Sequence, residues 1–286
     1  MLTAGELQAL LKAHELRLTK RRGQNFLVEA NQAKRLVASC HLAPQDTVIE
    51  IGAGLGALTD LLAHAAGRVI AVESDRALSE LLQQRMAHHS HVEVMCQDIL
   101  SFPWSRDAGS AVVGMIPYVI TSPILVTLCE HAAQVRGAWL GIQREVAQRL
   151  VARPGTKAYG RLTVLVQYYF EVKELLRIPR HVFFPQPNVD SSWVSLKPRA
   201  RPAVEVGDEP LFFAVVQAAF AQRRKTLVNG LHTLQAPTLS RAEAVQLVRQ
   251  LGWSERVRGE TLSLAQFAQL TAAVQNRGHK HIAKNC

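Results

Sequence analysis

A glycine-rich turn is the first feature of this sequence that could hold a ligand. Val48-Ile49-Glu50-Ile51 is predicted to form a strand, and Gly52-Ala53-Gly54-Leu55-Gly56 follows it and opens a helical pattern. Glycines allow a backbone to approach a ligand where a Cβ atom would clash. Dinucleotide-binding turns have similar spacing, so the turn alone fits a nucleotide cofactor and a tight structural turn equally well.

Two acidic residues stand where the next two predicted strands end. Glu73 follows the strand Val69–Val72, where a carboxylate can accept two hydrogen bonds from a ribose diol. Asp98 follows the strand Val92–Met95 and could accept the exocyclic amine of an adenine ring. Ligands of open α/β sheets sit at this carboxyl edge. A solvated carboxylate is the alternative for Glu73, but the turn, Glu73 and Asp98 together favour S-adenosylmethionine over NAD as cofactor.

A proline-tyrosine loop follows the fourth predicted strand at the same edge. The strand covers residues 111–114, and Met115-Ile116-Pro117-Tyr118 comes directly after it. Tyr118 could stack on a planar base, and the Pro117 carbonyl could accept a hydrogen bond. Ordinary aromatic packing is the alternative for Tyr118.

Elements that would position these residues alternate along the first two thirds of the chain. Short β-rich runs cover residues 47–51, 68–72, 92–95, 111–114 and 138–142, and helix-period segments cover 56–64, 76–87, 122–131 and 143–151. This alternation predicts a parallel sheet covered by helices. After Arg201 only helical patterns follow, at 210–221, 224–231, 241–251 and 264–274, before a basic tail that we expect to be frayed. We therefore predict two domains, 1–201 with a basic N-terminal extension and 202–286.

The charge balance indicates a polyanionic partner. The formal net charge is +10 and the pI is about 9.8, which predicts salt-dependent attraction to nucleic acid or to an anionic membrane surface. No apolar run is long enough to cross a bilayer, and the N-terminus lacks the pattern of a secretory signal. Four scattered cysteines show no metal-ligand spacing. We expect a cytoplasmic protein with reduced thiols.

Two local clusters of basic or imidazole side chains are open to more than one interpretation. Arg223-Arg224-Lys225 opens a predicted helix and could bind RNA phosphates, although a charged run is more often a solvated helix face. His88, His89 and His91 could suggest a metal, but no carboxylate or cysteine lies near them at ligand spacing. We interpret the histidines as a surface turn and predict no metal.

Several ordered motifs resemble those of one family. The sequence closely resembles the KsgA family of small-subunit ribosomal RNA adenine dimethyltransferases from about Lys20 to Leu270. The motifs that carry the resemblance are Gly23-Gln24-Asn25-Phe26-Leu27, Gln143-Arg144-Glu145-Val146-Ala147-Gln148-Arg149-Leu150, Lys157-Ala158-Tyr159-Gly160-Arg161-Leu162, Phe183-Phe184-Pro185-Gln186-Pro187-Asn188-Val189-Asp190-Ser191, Phe220-Ala221-Gln222-Arg223-Arg224-Lys225-Thr226-Leu227 and Arg258-Gly259-Glu260-Thr261-Leu262-Ser263.

The resemblance implies a Rossmann-like, S-adenosylmethionine-dependent methyltransferase sheet with helices on both faces and a smaller all-α domain. It also implies two methyl transfers to N6 of each of two neighbouring adenines in immature small subunits, by a monomer without a metal. Cofactor contacts are implied for Asn25, Leu27, Gly52, Glu73 and Asp98, and we predict further contacts at Gly54, Gly56 and Met115. The flipped-out adenine would lie between the Pro117-Tyr118 loop and Phe183, for which aromatic packing is again the alternative.

Met115 departs from the family pattern. Where the family has Asn-Leu-Pro-Tyr, this chain reads Met115-Ile116-Pro117-Tyr118. The N6 lone pair of adenine is conjugated into the ring, so the amine is a poor nucleophile unless carbonyl acceptors bind its hydrogens. Methionine offers only a weak thioether acceptor. By analogy with deleting one oxyanion-hole donor, we expect a loss of about 2.7–4 kcal/mol, or roughly 10²–10³ in rate.

Three other functions fit parts of the sequence. A non-catalytic RNA-binding assembly factor could retain the cofactor pocket and lose turnover at Met115. A relative that methylates large-subunit RNA and confers antibiotic resistance shares the same core, although the helical region with its Gln222-Arg223-Arg224-Lys225 run favours the small-subunit type. A dinucleotide oxidoreductase would need a different loop after the fourth strand.

Overall fold

The structure is a computed structural model that describes residues 2–16, 24–222 and 225–282, with 278–282 described by their backbone alone. The strands are β1 (Phe26–Leu27), β2 (Thr47–Ile51), β3 (Arg68–Glu73), β4 (Val92–Cys96), β5 (Ser110–Met115), β6 (Val135–Gln143), β7 (Phe170–Ile178), β8 (Phe183–Phe184) and β9 (Ser191–Pro198). The helices are α1 (Ala4–Ala13), α2 (Ala30–Ala38), α3 (Thr59–Ala65), α4 (Arg76–Met86), α5 (Thr121–Glu130), α6 (Arg144–Leu150), α7 (Arg161–Tyr169), α8 (Glu209–Ala221), α9 (Leu227–Leu231), α10 (Arg241–Gln250) and α11 (Leu264–Ile282).

A seven-stranded sheet in the order β4-β3-β2-β5-β6-β9-β7 forms the centre of the first unit. The first five strands in that order run parallel, and β9 pairs with β6 antiparallel. Nearly every residue of β2, β3 and β5 is buried. Continuous apolar runs of this kind are typical of parallel strands covered on both faces. The predicted α/β fold with helices flanking a parallel sheet is therefore confirmed.

Helices cover this sheet through their apolar faces. Leu36 of α2 and Leu62 of α3 are fully buried against Val48, Val69 and Val113 of the sheet. On α4, Leu82 and Met86 pack against Ala71 and Ala53, and the Asp75 carboxylate accepts the backbone N–H groups of Ala77 and Leu78 to begin the helix. Helix α4 therefore begins at Arg76, shortly after Glu73, the acid that ends β3.

The structure divides the backbone into two compact units. One unit contains Met1–Gln148 and Glu171–Pro198, and the other contains Arg149–Phe170 and Arg199–Cys286. The predicted first domain, 1–201, includes Arg149–Phe170. Tyr159, Val164 and Tyr168 lie in the second unit because their side chains are buried in its core. The domain boundary near Arg201 itself stays a prediction.

The second unit is helical and packs around α8. Phe212, Val215 and Val216 of α8 are fully buried. A Cβ atom on Gly230 would lie 2.4 Å from the Ala218 carbonyl oxygen, and one on Gly259 would lie 2.5 Å from that of Ala219. Glycine at both positions is therefore needed for close backbone approach.

Several element boundaries differ from the sequence expectation. Helix α3 begins at Thr59 rather than at Gly56, since Gly56 has a left-handed backbone with φ of +84°. Helix α11 continues to Ile282, beyond Val274 and into the expected frayed tail. The Arg277 guanidinium donates to the Glu243 carbonyl and to Gln250 Oε1, which holds α11 against α10. Among the helices of the described residues, none is long and apolar enough to span a membrane.

Candidate active site

A cavity of about 400 Å³ opens at the carboxyl edge of the parallel strands. It lies within the first unit and is lined by the ends of four predicted strands, β2 to β5, together with the β1 segment and Phe183. The lining includes these residues singled out from the sequence: Asn25, Leu27, Gly52, Gly54, Glu73, Asp98, Met115, Pro117, Tyr118 and Phe183. Residues that are up to 158 positions apart along the chain thus meet in one place: parallel strands end at a common edge, and the pairing of β1 with β8 brings the segments of Asn25 and Phe183 there.

The glycine turn presents bare backbone to this cavity. Gly52 and Gly54 have φ values of +68° and +57°, which favour glycine. A Cβ atom on Gly54 would lie 3.0 Å from the Phe26 ring, and one on Gly52 would lie 3.6 Å from both the Met115 carbonyl oxygen and Pro117 Cδ. The turn is therefore packed between the β1 segment and the proline-tyrosine loop.

Gly56 has a different environment. It is absent from the cavity lining, and a Cβ atom there would lie 2.9 Å from Leu82 Cδ1 of α4. Together with its positive φ, this contact gives Gly56 a packing role between the turn and α4. Its assignment as a cofactor contact stays a prediction without support from the cavity.

Glu73 holds the glycine turn in place. Its side chain is 7% exposed, Oε2 accepts the Gly54 N–H at 2.8 Å, and Oε1 accepts the Asp75 N–H at 2.8 Å. Burial raises the pKa of Glu73, and the two backbone donors oppose that rise. The carboxylate therefore orders the turn and the start of α4 while facing the cavity.

Asp98 lies at an exposed part of the cavity lining. Its Oδ1 accepts the Leu100 N–H at 3.0 Å and so begins the short 3₁₀ turn Ile99–Ser101. This bond fixes the carboxylate at the end of β4. The position agrees with the sequence expectation that an acid follows the third strand.

Glu50 is a site residue that the sequence reasoning missed. It lines the cavity, is 2% exposed, and its Oε2 has no hydrogen-bond partner within the described part of the chain. Burial raises the pKa of Glu50 to about 8, and the nearby Glu73 carboxylate adds to the shift. The signal in the sequence was an acid inside an otherwise apolar strand, two residues before the glycine turn.

The proline-tyrosine loop is held by hydrogen bonds at each of its residues. The Ile116 N–H donates to the Gly141 carbonyl at 2.9 Å, and the Tyr118 hydroxyl lies 2.7 Å from Ser191 Oγ. The Pro117 carbonyl accepts the Ile120 N–H at 3.1 Å and the Thr121 hydroxyl at 3.4 Å. Because both bonds occupy this carbonyl, it is a weaker acceptor for a ligand amine than the sequence argument assumed.

A two-residue ladder brings the N-terminal motif to the aromatic motif. Strand β1 pairs antiparallel with β8, with Leu27 opposite Phe183 and Phe26 opposite Phe184. Phe183 is 5% exposed and packs in the apolar cluster of the sheet while one part of it lines the cavity. From sequence, core packing and base contact are alternative roles for the Phe183 ring, but its position allows both.

Met115 turns its thioether onto a neighbouring strand. A Cβ atom built on Gly141 of β6 would lie 2.3 Å from Met115 Sδ and 2.4 Å from its Cε. The methionine therefore fills space that exists only because residue 141 is glycine. Strand β5 thus ends at the cavity with an apolar, half-buried side chain.

A second groove of the first unit is lined by both basic and acidic side chains. Its lining includes Arg144, Arg177, Arg180 and His181. Asp190 forms an ion pair with Arg177 at 2.5 Å and also accepts the Arg180 backbone N–H. Arg144 and Arg180 are exposed. Of these residues only Arg144 and Asp190 belong to the sequence motifs, and the fold places all of them on one surface.

The predicted RNA-contact run is described only in part. Arg223 and Arg224 lie outside the described residues. Lys225 is exposed in the second unit, and its backbone N–H donates to the Gln222 carbonyl at 2.8 Å. The assignment of this run to RNA stays a prediction.

Comparison with known families supports the resemblance read from the sequence. The family model described as "Ribosomal RNA adenine dimethylase" matches residues 15–272. The chain belongs to this family. It is 41% identical over 286 residues to the ribosomal RNA small subunit methyltransferase A of Moorella thermoacetica, covering 96% of this chain and 98% of that protein. It is 40% identical to the protein of the same name from Bacillus mycoides, covering 95% and 96%.

Solved structures agree with this assignment. The crystal structure of the 23S rRNA methyltransferase ErmE has a TM-score of 0.66 at 27% identity, covering 87% of this chain and 99% of that one. A dimethyladenosine transferase from Plasmodium falciparum has a TM-score of 0.73 at 24% identity, covering 87% and 97%, which supports the fold alone. The predicted family and the predicted class of enzyme, an S-adenosylmethionine-dependent RNA adenine dimethyltransferase, are therefore confirmed.

Proposed function

We propose that this chain methylates N6 of two adjacent adenines in a hairpin of small-subunit ribosomal RNA, with S-adenosylmethionine as the methyl donor. One observation carries the proposal: a single cavity joins the glycine turn, Glu73 and Asp98 to the proline-tyrosine loop and Phe183. The relatives that match nearly the whole chain are named for the small subunit. The proposal includes action in the cytoplasm, as a monomer, on an immature small subunit.

The residues present fit S-adenosylmethionine. The turn at Gly52 and Gly54 gives close backbone approach, and Glu73 and Asp98 place carboxylates at the ends of two adjacent strands. The unpartnered, buried Glu50 oxygen suits a ligand that carries positive charge, as this cofactor does at its sulfonium and ammonium groups. When bound, the cofactor supplies an electrophilic methyl group. Asn25 and Leu27 would contact it from the β1 side of the cavity.

The aromatic side chains would hold the target base. Tyr118 and Phe183 line the cavity beside the turn, and the Tyr118 hydroxyl is fixed by Ser191. An adenine inside a duplex cannot reach such a cavity, so the base must be flipped out of its stack. A base stacked on fixed rings gains a large rate advantage from orientation alone.

Met115 is expected to slow this reaction. The amine hydrogens of the base need acceptors, but Met115 carries only a thioether that packs on Gly141, and the Pro117 carbonyl is already engaged by two donors. Slower methyl transfer follows from this arrangement. Loss of all transfer does not, because orientation and the cofactor cavity remain.

Exposed cations beside the site would contact the RNA backbone. Arg144 and Arg180 lie in a groove formed by the same segment that carries Phe183. Guanidinium groups bind phosphates in a bidentate manner. Arg223, Arg224 and Lys225 would add contacts from the second unit.

The test is a single-turnover methylation assay with excess chain, radiolabelled cofactor and under-methylated small subunits. Transfer to two adjacent adenines is expected, and Tyr118→Ala should reduce it strongly. Leu175→Ala on β7 is the control, since Leu175 is 37% exposed and lies outside the cavity lining. Subunit binding with no methyl transfer at any enzyme concentration would instead support a non-catalytic assembly factor. Transfer to large-subunit RNA alone would contradict the choice of substrate.

A further inference from the structure

Four of the eleven histidines of the chain lie together on the first unit, away from the cavity lining. His64 is on α3, and His88, His89 and His91 precede β4. The ring centroids of His89 lie 4.0 Å from those of His88, 5.1 Å from His64 and 5.7 Å from His91. The sequence offered no carboxylate near this cluster. The fold provides one, because α3 brings Asp60 to within 3.2 Å of His89 Nε2.

Three of these side chains converge closely enough to share an ion. One ligand atom each from Asp60, His64 and His89 lies within 4.8 Å of the others. Around tetrahedral zinc with bonds of about 2.0–2.2 Å, neighbouring donor atoms lie roughly 3.3–3.5 Å apart. The distance from Asp60 Oδ1 to His89 Nε2, 3.2 Å, is close to this value, and a small shift of the exposed His64 ring would bring its ligand atom to the same spacing.

The hydrogen bonds of the cluster prepare His64 as a ligand. His64 Nδ1 lies 2.7 Å from the Asp60 carbonyl oxygen. A carbonyl can only accept, so Nδ1 carries the hydrogen and Nε2 keeps its lone pair. Metal-binding histidines usually have such a bond at the second ring nitrogen, which fixes the tautomer and the ring orientation.

A second histidine fixes the loop to the same helix. His91 Nε2 lies 2.8 Å from the Ala63 carbonyl oxygen of α3. The loop before β4 is therefore anchored against α3 before any ion binds. Little conformational entropy remains to be lost when His89 and Asp60 engage a ligand.

We propose that Asp60, His64 and His89 bind one borderline divalent transition ion, with Zn²⁺ as the probe, and that water completes its coordination. Two imidazoles and one carboxylate favour zinc, nickel or copper over magnesium or calcium, which prefer oxygen ligands. Asp60 follows the cavity residue Leu58 by two positions. The ion would thus tie the first turn of α3 to the loop before β4 and brace the helix that leaves the glycine turn.

Zinc affinity of the full chain tests the proposal. The metal-free chain is titrated with Zn²⁺ in competition with a chromophoric chelator, for wild type, His64→Ala and Asp60→Asn. Since loss of an outer partner alone costs metal sites about 10- to 100-fold in affinity, loss of a ligand should weaken the site by at least about 100-fold. His41→Ala is the control, because His41 is exposed and outside the cluster. The tail variant His279→Ala with His281→Ala removes two histidines outside the described side chains and should leave the site intact.

Two further measurements distinguish a preformed metal site from incidental zinc binding. Co²⁺ in place of Zn²⁺ should give a visible spectrum of nitrogen and oxygen ligands, without the near-ultraviolet charge-transfer band of a thiolate. Zn²⁺ should raise the melting temperature of wild type and His41→Ala but not of His64→Ala. His64→Gln serves if the alanine variant folds poorly. Equal zinc affinity of wild type, His64→Ala and Asp60→Asn would overturn the proposal, and so would a thiolate band or loss of the site with the tail histidines. The assay needs neither RNA nor cofactor, so its outcome is independent of the proposed function.

Discussion

Replacing Met115 by asparagine is expected to accelerate methyl transfer. Met115 ends β5 at the cavity, and its thioether rests on the bare backbone of Gly141. Thioether sulfur is a weak hydrogen-bond acceptor, whereas an amide oxygen is a strong one. The substitution therefore brings an acceptor to the strand end where the amine of the target base needs one.

The substitution should have two effects, one on the rate of methyl transfer and one on the stability of the fold. By analogy with restoring one oxyanion-hole donor, the gain is about 2.7–4 kcal/mol, or roughly 10²–10³ in rate. Removing the thioether leaves space beside Gly141. This space should lower the free energy of unfolding by about 1–2 kcal/mol, a small loss for a methionine because the side chain is only half-buried. The variant is thus expected to be faster and less heat-stable.

The assay is single-turnover transfer to under-methylated small subunits under saturating cofactor. Met115→Leu is the matched control, since leucine has a similar volume and no acceptor. The reasoning is refuted if Met115→Asn reacts no faster than wild type, or if Met115→Leu reacts equally fast. The first result would show that a side-chain acceptor is irrelevant, and the second that the gain comes from packing.

Three further predictions follow from the same contacts. Burial raises the pKa of Glu50 to about 8 in the fold, against about 4.5 in the unfolded chain. Glu50 should therefore lower the free energy of unfolding by about 3–5 kcal/mol as pH rises between these values, measured in urea titrations; Glu50→Gln should remove this part of the fall and leave the part due to Glu73, whose pKa burial also raises. Gly141→Ala should destabilise wild type by about 1–3 kcal/mol through the clash with Met115, and this cost should shrink in the Met115→Ala background in a double-mutant cycle. Arg144→Ala and Arg180→Ala should each weaken RNA binding and reduce its salt dependence by about one phosphate contact, measured by filter binding.

Controls for the last two predictions lie on the same elements or the same unit. Gly137→Ala on β6 should show the same cost with and without Met115, because its neighbour is the Trp139 ring instead. Arg76→Ala on α4 should leave RNA affinity unchanged, since Arg76 is exposed and paired with Glu80. Equal coupling between Gly137 and Met115 would contradict the Met115–Gly141 contact. An equal loss of RNA affinity in Arg76→Ala would contradict the proposed RNA contacts of Arg144 and Arg180. A free energy of unfolding of the wild type that does not change with pH would contradict the prediction for Glu50.

The sheet could be predicted because the apolar pattern of its central strands is recognisable in the sequence. Strands β2, β3 and β5 are short and mostly apolar runs, and that pattern marks buried parallel strands. Strand β7 could not be predicted, since most of its residues are exposed and charged side chains interrupt its apolar positions. Its place at the sheet edge follows from pairing, which local sequence does not encode.

The candidate site was predictable where spacing carries meaning. Glu73 and Asp98 follow strands whose ends share one edge, so their convergence follows from the fold class. The contact of Met115 with Gly141 depends on the register of β5 and β6, and the approach of Asp60 to His89 joins residues 29 positions apart. Such contacts depend on tertiary packing and leave no periodic trace in the chain.

Calorimetric titration of the full chain with S-adenosylmethionine tests the central claim most directly. The cavity predicts one cofactor per chain, no binding of NAD, strong weakening in Glu73→Ala, where the Gly54 N–H loses its acceptor, and unchanged binding in the exposed control Glu80→Ala. Absence of cofactor binding to the folded chain, or equal affinity in Glu73→Ala, would contradict the account.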